Sequence, residues 1–276
     1  MYEPGPLEGR LDQWPVLAVS GALEVRLAET DAEVEAAQRL RYHVFYEEMN
    51  AVPTPQMREE RRDFDKFDPV CDHLLVIDRD RIEDDGQPAV VGCYRMMREE
   101  HAAKVGGFYT AGEYDISRLL AARRGAKLLE LGRSCVLKEY RSKPTSMQLL
   151  WKGLMAYAAR FSIEAMFGCA SFPGTHPDDH AAALTYLHHH AKLPQEIAVK
   201  ALPHLYVAMD RMPIEQVNTK DALRAMPPLI KGYLRAGCSI GDGAVIDRQF
   251  DTTDVFIYLD MARFSARYRS RFGLAD

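Results

Sequence analysis

The chain has 276 residues, 47% of them hydrophobic and 27% charged, and a net charge of −5 at pH 7. That length buries a substantial core in one large domain or two small ones, with the composition of an ordinary globular protein. The negative balance excludes a nucleic-acid binder, which needs a basic footprint, and five cysteines without C-x-x-C spacing read as reduced thiols.

Residues 1–20 begin MYEPGPLEGRLDQWPV, an acidic leader rich in proline and glycine that is expected to be poorly ordered and fits no signal peptide. Leu23 to Leu27 alternates like a strand, and Asp31 can cap a helix running from Ala32 towards Met49. On that helix Arg41 and Phe45, four apart, share a face. Residues 51–72 read as a loop carrying Asp63, Asp65, Asp68 and Asp72. Strands follow at His73–Asp78 and Ala89–Met97, joined by a turn at Asp85-Gly86. Arg95 lies on the second strand with Val91, Cys93 and Met97, so its charge requires a partner.

A Gly-rich loop and a helical turn at Ile116–Ala122 lead into the stretch LLELGRSCVLKEYRSKPTSMQLLWKGL, residues 128–154. It reads as a strand with Glu130 and Arg133, a basic turn Arg141-Ser142-Lys143, and a helix opening at Pro144-Thr145-Ser146. Met147, Leu150, Trp151, Leu154, Met155, Ala158 and Phe161 form an amphipathic stripe on the helix. A strand at Ala165–Ser171 precedes a helix from Asp178 to about Lys192. His188, His189 and His190 diverge by about 100° per residue on it and cannot all bind one ion. With no H-E-x-x-H either, no metal is expected. A strand at Leu205–Asp210, a helix from Asn218, a Gly-rich turn (IGDGAV), a last strand at Asp254–Asp260 and a basic tail complete the chain. The order is mixed α/β, with a parallel pair across the helix after residue 145.

By strand alternation Glu130 and Arg133 lie on opposite faces. Gly132 between them marks an expected bulge, which would bring both charges to one side and free a backbone N–H for an oxyanion. The alternative is a regular strand whose two charges pair with neighbouring strands.

The strand, turn and helix around VLKEYRSKPTS resemble the acyl-carrier segment of the GCN5-related N-acyltransferase superfamily. There a glycine-rich loop wraps the pyrophosphate of coenzyme A at a helix N-terminus. Here Pro144 and Ser146 stand where glycines are expected, which favours a single phosphate, as on the phosphopantetheine arm of acyl carrier protein. Arg41-x-x-x-Phe45, Asp65-x-x-Asp68, Arg95 and Glu130-x-x-Arg133 follow the order seen in acyl-homoserine lactone synthases. That family's tryptophan after the Arg/Phe helix is replaced by Met49-Asn50-Ala51. RYHVFYEEM, FDPVCDHLLV, LELGRSCVL, EYRSK, MFGCASFPGT and PPLIKGYLRAGCSIGDGAVIDRQFDTTDVFIYL together resemble the bacterial ornithine N-acyltransferases.

That resemblance implies an acyltransferase fold with a central mixed, mainly antiparallel sheet flanked by helices. It implies a single domain over residues 21–276 with a C-terminal extension from about residue 212. It further implies transfer of a 3-hydroxyacyl chain from acyl carrier protein to the α-amine of L-ornithine, giving lyso-ornithine lipid, with no tightly bound cofactor. Glu130 becomes the candidate base and Arg41, Phe45, Asp65, Asp68, Arg95 and Arg133 candidate substrate ligands, the aspartates for an ammonium and an arginine for the carboxylate. The alternative for these charges is a buried salt-bridge network that shapes the site. Arg141, Ser142, Lys143 and Ser146 are the candidate phosphopantetheine ligands.

Met96, Met97, Met147, Met155 and Met166 either line an acyl slot or pack the core. Lys138, Arg141, Lys143 and Lys152 form the basic patch that an acidic carrier protein requires. Arg263, Arg267, Arg269 and Arg271 could meet anionic lipid at the inner membrane, and the chain is otherwise expected to be cytoplasmic. Two rival readings stand beside this one: a lactone synthase or an acyltransferase for another amino acid, and a non-catalytic lipid- or carrier-binding protein.

Overall fold

The computed structural model describes residues 16–142 and 144–264. Most of the expected leader, and of the tail Arg267, Arg269 and Arg271, lies outside them. The described chain forms two compact units. The first takes residues up to Gly106 and Leu131–Ser162; the second takes Gly107–Glu130 and residues from Ile163 on.

In the first unit, β1 (Ala18–Ser20) and β2 (Leu23–Leu27) pair antiparallel, so residues 18–20 of the expected leader form a strand. β2 buries every second side chain, as its alternation predicts. β3 (Asp72–Ile82) pairs antiparallel with β2 and with β4 (Pro88–Arg98), and β6 (Leu128–Val136) follows β4 in the order. The helix α1 spans Asp31–Tyr42 and is capped by Thr30, not Asp31. Thr30 Oγ1 accepts from Glu33 N, while Glu33 reaches back to Glu29 N and Arg26, a reciprocal box at the helix start.

The expected run to Met49 changes character after Tyr42. His43–Glu48 forms a π-helical turn, a wider coil that re-aims Phe45 and Tyr46. The expected loop at 51–72 contains a helix, α2 (Pro55–Glu60), capped by Thr54.

After α3 (Glu99–Ala102), the unit resumes with β6, α5 (Lys138–Arg141) and α6 (Pro144–Arg160). The predicted stripe of α6 packs over β1 to β4, with Leu150, Trp151, Leu154, Met155 and Ala158 buried. Gly153 lets the helix approach closely: a Cβ there would lie 2.8 Å from Val25 Cγ2 and 3.0 Å from Leu74 Cδ1.

The second unit holds β5 (Tyr114–Asp115), α4 (Ser117–Ala122), the start of β6, β7 (Ala165–Pro173), α7 (Ala181–His190) and β8 (Lys200–Ala201). It ends with α8 (Thr219–Ala225), α9 (Pro228–Ala236), β9 (Ser239–Asp247) and β10 (Thr252–Asp260). Its strand order is β6-β7-β10-β9-β8-β5. β10 pairs antiparallel with β7 and β9, β5 antiparallel with β8, and β8 runs parallel to β9, so the sheet is mixed and mainly antiparallel.

Two expectations fail in this unit. Leu205–Asp210 forms no strand, only an isolated bridge between Val207 and Ala244. IGDGAV is not a turn but the body of β9. Its glycines serve close packing: a Cβ on Gly243 would sit 2.5 Å from the Tyr206 ring. Among the described residues no helix is long and apolar enough to cross a membrane.

Candidate active site

The first unit gathers its candidate charges into one buried network. Arg41, on the last turn of α1, donates from Nε to Asp63 Oδ2 at 2.7 Å and from Nη2 to Asp68 Oδ1 at 2.7 Å. Arg95 Nη1, from β4, donates to Asp65 Oδ1 at 2.7 Å and to Asp68 Oδ2 at 3.2 Å. Arg133, from β6, meets Asp63 at 3.3 Å and Asp65 at 3.4 Å. The aspartates are held by their own chain, since Asp65 N donates to Asp68 Oδ2 and Phe67 N donates to Asp65 Oδ1, both at 2.8 Å.

Removing ions from water is costly, and only close opposite charges make it tolerable. Burial opposes ionisation of Asp63, but Arg41, Arg133 and Arg95 outweigh it and hold its carboxyl below the usual range. Asp68 is likewise held low by Arg41 and Arg95 against its burial. Burial pushes the His73 imidazole down and so favours its neutral form, and Nε2 lies 3.1 Å from Asp68 O. The network thins outward: the Asp65 side chain is 20% exposed, against 1% for Asp63. Phe45 is half-buried on the π-helical turn.

Asp63 and His73 were not among the candidate site residues. The available signal was the DFDKFD spacing, which places Asp63 beside Asp65 without saying which carboxylate meets Arg41.

The bulge expected at Gly132 is not where the backbone turns. Arg133 itself takes φ 53°, while Gly132 is outside the left-handed region. For an L-residue that conformation costs roughly 1–2 kcal/mol. It accompanies the ion pairs of Arg133 with Asp63 and Asp65.

Among the phosphopantetheine candidates, Arg141 donates to Val136 O at 2.7 Å and pairs with Glu48 at 2.6 Å. Ser142 is exposed at the turn, Ser146 is fully buried, and Lys143 lies outside the described residues. Lys138 and Lys152 are exposed, while Met96, Met97, Met155 and Met166 pack in the interior.

In the second unit, Glu130 is 5% exposed and its carboxylate is cradled by main chain. Oε2 accepts from Tyr109 N at 2.9 Å and Oε1 from Thr110 N at 2.7 Å. These amides open a short turn, Tyr109–Gly112, and fix both oxygens of the side chain. Nothing in the Gly-rich loop sequence announced that role. The consecutive histidines divide: His189 Nε2 lies 2.9 Å from Asp210 Oδ1 with His188 nearby, while the His190 ring packs at a tilt against Tyr186.

A mixed, mainly antiparallel sheet flanked by helices is the fold of an acyltransferase. A model of the acetyltransferase (GNAT) domain matches residues 40–152. The solved structure of FeeM, an N-acyl amino acid synthase from uncultured soil microbes, aligns with a TM-score of 0.50 and 12% identity, over 90% of this chain and 95% of that one, a likeness of fold. The L-ornithine N(alpha)-acyltransferase of Brucella abortus (strain 2308) is 54% identical over 94% of this chain and 91% of its own length. That of Rhizobium meliloti (strain 1021) is 51% identical over 94% of this chain and 86% of its own. The chain belongs to the L-ornithine N(alpha)-acyltransferase family and is an N-acyltransferase.

Proposed function

We propose that this enzyme transfers a 3-hydroxyacyl group from the phosphopantetheine arm of acyl carrier protein to the α-amine of L-ornithine, releasing lyso-ornithine lipid and the carrier thiol. The near-full-length identity to the two named acyltransferases carries the reading. The local chemistry supports it.

The α-ammonium must lose a proton before its nitrogen can attack the thioester carbonyl. Glu130 receives that proton, directly or through one water. The amides of Tyr109 and Thr110 donate to its two oxygens and fix the orientation of the carboxylate. As the C–N bond forms and the C–S bond breaks, the nitrogen loses its second proton and the sulfur leaves as a thiol. The thioester is already activated, so no covalent enzyme intermediate is needed, and positioning supplies much of the acceleration.

In the first unit, the salt-bridged core of Arg41, Asp63 and Asp68 holds the end of α1, with Asp65 and Arg133 at its more exposed edge. Arg95 meets Asp65 at that edge. Lys138, Arg141 and Lys152, with Ser142 between them, present the basic surface for the carrier protein.

The test is incubation of the purified protein with 3-hydroxyacyl carrier protein and, separately, L-ornithine, L-lysine, glycine and S-adenosylmethionine, with products read by mass spectrometry. Lyso-ornithine lipid is the expected product. A lactone from S-adenosylmethionine, or binding of the carrier without product from any amine, would overturn the proposal.

A further inference from the structure

The second unit contains a cluster of acids on one face of its sheet. In β10, Thr252 and Asp254 are two residues apart and face the same way, in a stretch whose pairing with both neighbours is regular. Their cross-strand partners on that face are Asp247 of β9 and Pro173 of β7, opposite Thr252, and Val245 of β9 and Ser171 of β7, opposite Asp254. Glu113 arrives from the other side. The turn that opens with the Glu130-binding amides ends at Glu113, whose N–H donates to Thr110 O, and β5 follows at once. Tyr114 anchors the junction by donating from its hydroxyl to Asp254 O at 2.9 Å. Carboxylate oxygens of Glu113, Asp247 and Asp254 thus come within 4.8 Å of one another.

A second observation points to a ligand there. The Thr252 hydroxyl, on a residue 9% exposed, has no hydrogen-bond partner among the described residues, and it lies directly across from Asp247 and beside Asp254. A buried hydroxyl left without a partner is unfavourable unless something fills the space it faces. Three acceptors arranged tetrahedrally around one ammonium nitrogen, each at about 2.8 Å, are about 4.6 Å apart. That spacing fits within the observed convergence. The face is open to solvent at Ser171 and half-open at Asp247, so a small ligand can enter.

The cluster also shares a neighbour with the candidate base. Cys169, opposite Phe256 on the same sheet, points its thiol at Thr110 Oγ1, 3.9 Å away, and Thr110 N holds Glu130. Burial raises this thiol well above its ordinary range, and Glu113, Asp254 and Glu130 add to that rise, so the base and the acid cluster both act on one sulfur.

We propose that Glu113, Asp247 and Asp254, with the Thr252 hydroxyl, form the pocket for the side-chain ammonium of the acceptor amino acid, leaving its α-amine towards Glu130. The inference rests on the acceptor reading above and deepens it: these residues make the enzyme select a diamino acid over a neutral one. Each carboxylate forms a charge-assisted hydrogen bond that a neutral side chain of equal length cannot use.

Initial rates with 3-hydroxyacyl carrier protein are to be compared for L-ornithine and L-norvaline, which has the same carbon chain without the terminal amine. The wild-type enzyme should prefer ornithine strongly. Asp254→Asn and the half-buried Glu113→Gln should each raise the KM for ornithine roughly 10- to 100-fold, keep kcat within a few-fold, and lower the ornithine-to-norvaline ratio by a similar factor. Asp260→Asn, which removes the partner of Arg123 instead, should leave the ratio unchanged.

Folded Glu113→Gln or Asp247→Asn enzyme that keeps the wild-type ratio would overturn the pocket while leaving ornithine acylation standing. So would loss of wild-type activity on chelation, restored by magnesium or calcium, since the acids would then hold a metal. A wild-type enzyme that acylates norvaline but not ornithine would remove both proposals.

Discussion

Arg41 Nε and Asp63 Oδ2 are 2.7 Å apart, and each side chain is 1% exposed. A pair buried this completely cannot lose one member cheaply, because the other is left charged in a low-dielectric interior. Asp63→Asn should therefore destabilise the enzyme by about 3–5 kcal/mol. The double variant Arg41→Met, Asp63→Leu should cost much less than the sum of the two singles. Urea unfolding of the wild type, Arg41→Met, Asp63→Leu and the double variant decides it, and strict additivity would mean that the pair contributes nothing as a pair.

The same network predicts an acid-sensitive fold. His73 has a folded pKa below its ordinary value of about 6.5, so its neutral form is favoured by the fold and stability is complete above that pH. As pH falls below about 6.5 the unfolded chain takes up a proton that the folded one resists, and stability drops by at most about 1.4 kcal/mol per pH unit for this one group. Asp63 and Asp68, also depressed, hold their contribution above about pH 3.9 and lose it further down. Denaturant midpoints between pH 5 and 7 should fall less steeply for His73→Gln than for the wild type.

Glu130→Gln removes the proposed base but keeps the side-chain shape. A fall in kcat of about 10²- to 10⁴-fold is expected, with little change in KM for the acyl donor. The amide also presents an NH2 to one of the two main-chain donors at Tyr109 and Thr110, so the melting temperature must be read alongside. Full activity in a folded variant would end the base assignment without touching the family.

Gly153→Ala tests the packing of α6. The added methyl would sit 2.8 Å from Val25 Cγ2 and 3.0 Å from Leu74 Cδ1, and both side chains are fully buried. Although alanine is the better helix former, the variant should be less stable by about 1–3 kcal/mol. A variant as stable as the wild type would show that the helix can lift without cost.

The elements that sequence fixed best were those governed by local periodicity. The stripe from Leu150 to Ala158 names the buried face of α6, and the alternation of Leu23 to Leu27 names that of β2, because burial on one face repeats every 3.6 or every 2 residues. The motif resemblances placed the chain in its family for the same reason, since they are short runs of contiguous residues. Chemistry inside apolar runs was legible too: Arg95 in a buried strand demanded a partner, and it meets Asp65 and Asp68.

Which partner, and on which side, was decided by tertiary structure alone. Arg41 meets Asp63, 22 residues on, beyond α2 and its left-handed cap Arg61 at φ 50°. The kink expected at Gly132, on the rule that glycine bends strands, falls on Arg133 instead, in the residue that meets Asp63 and Asp65. Glu130 is held by two amides of a distant turn, and Glu113, Asp247 and Asp254 converge from separate stretches of chain. Local sequence sets which residues are buried; only closing the long loops between them decides which charges meet once they are there.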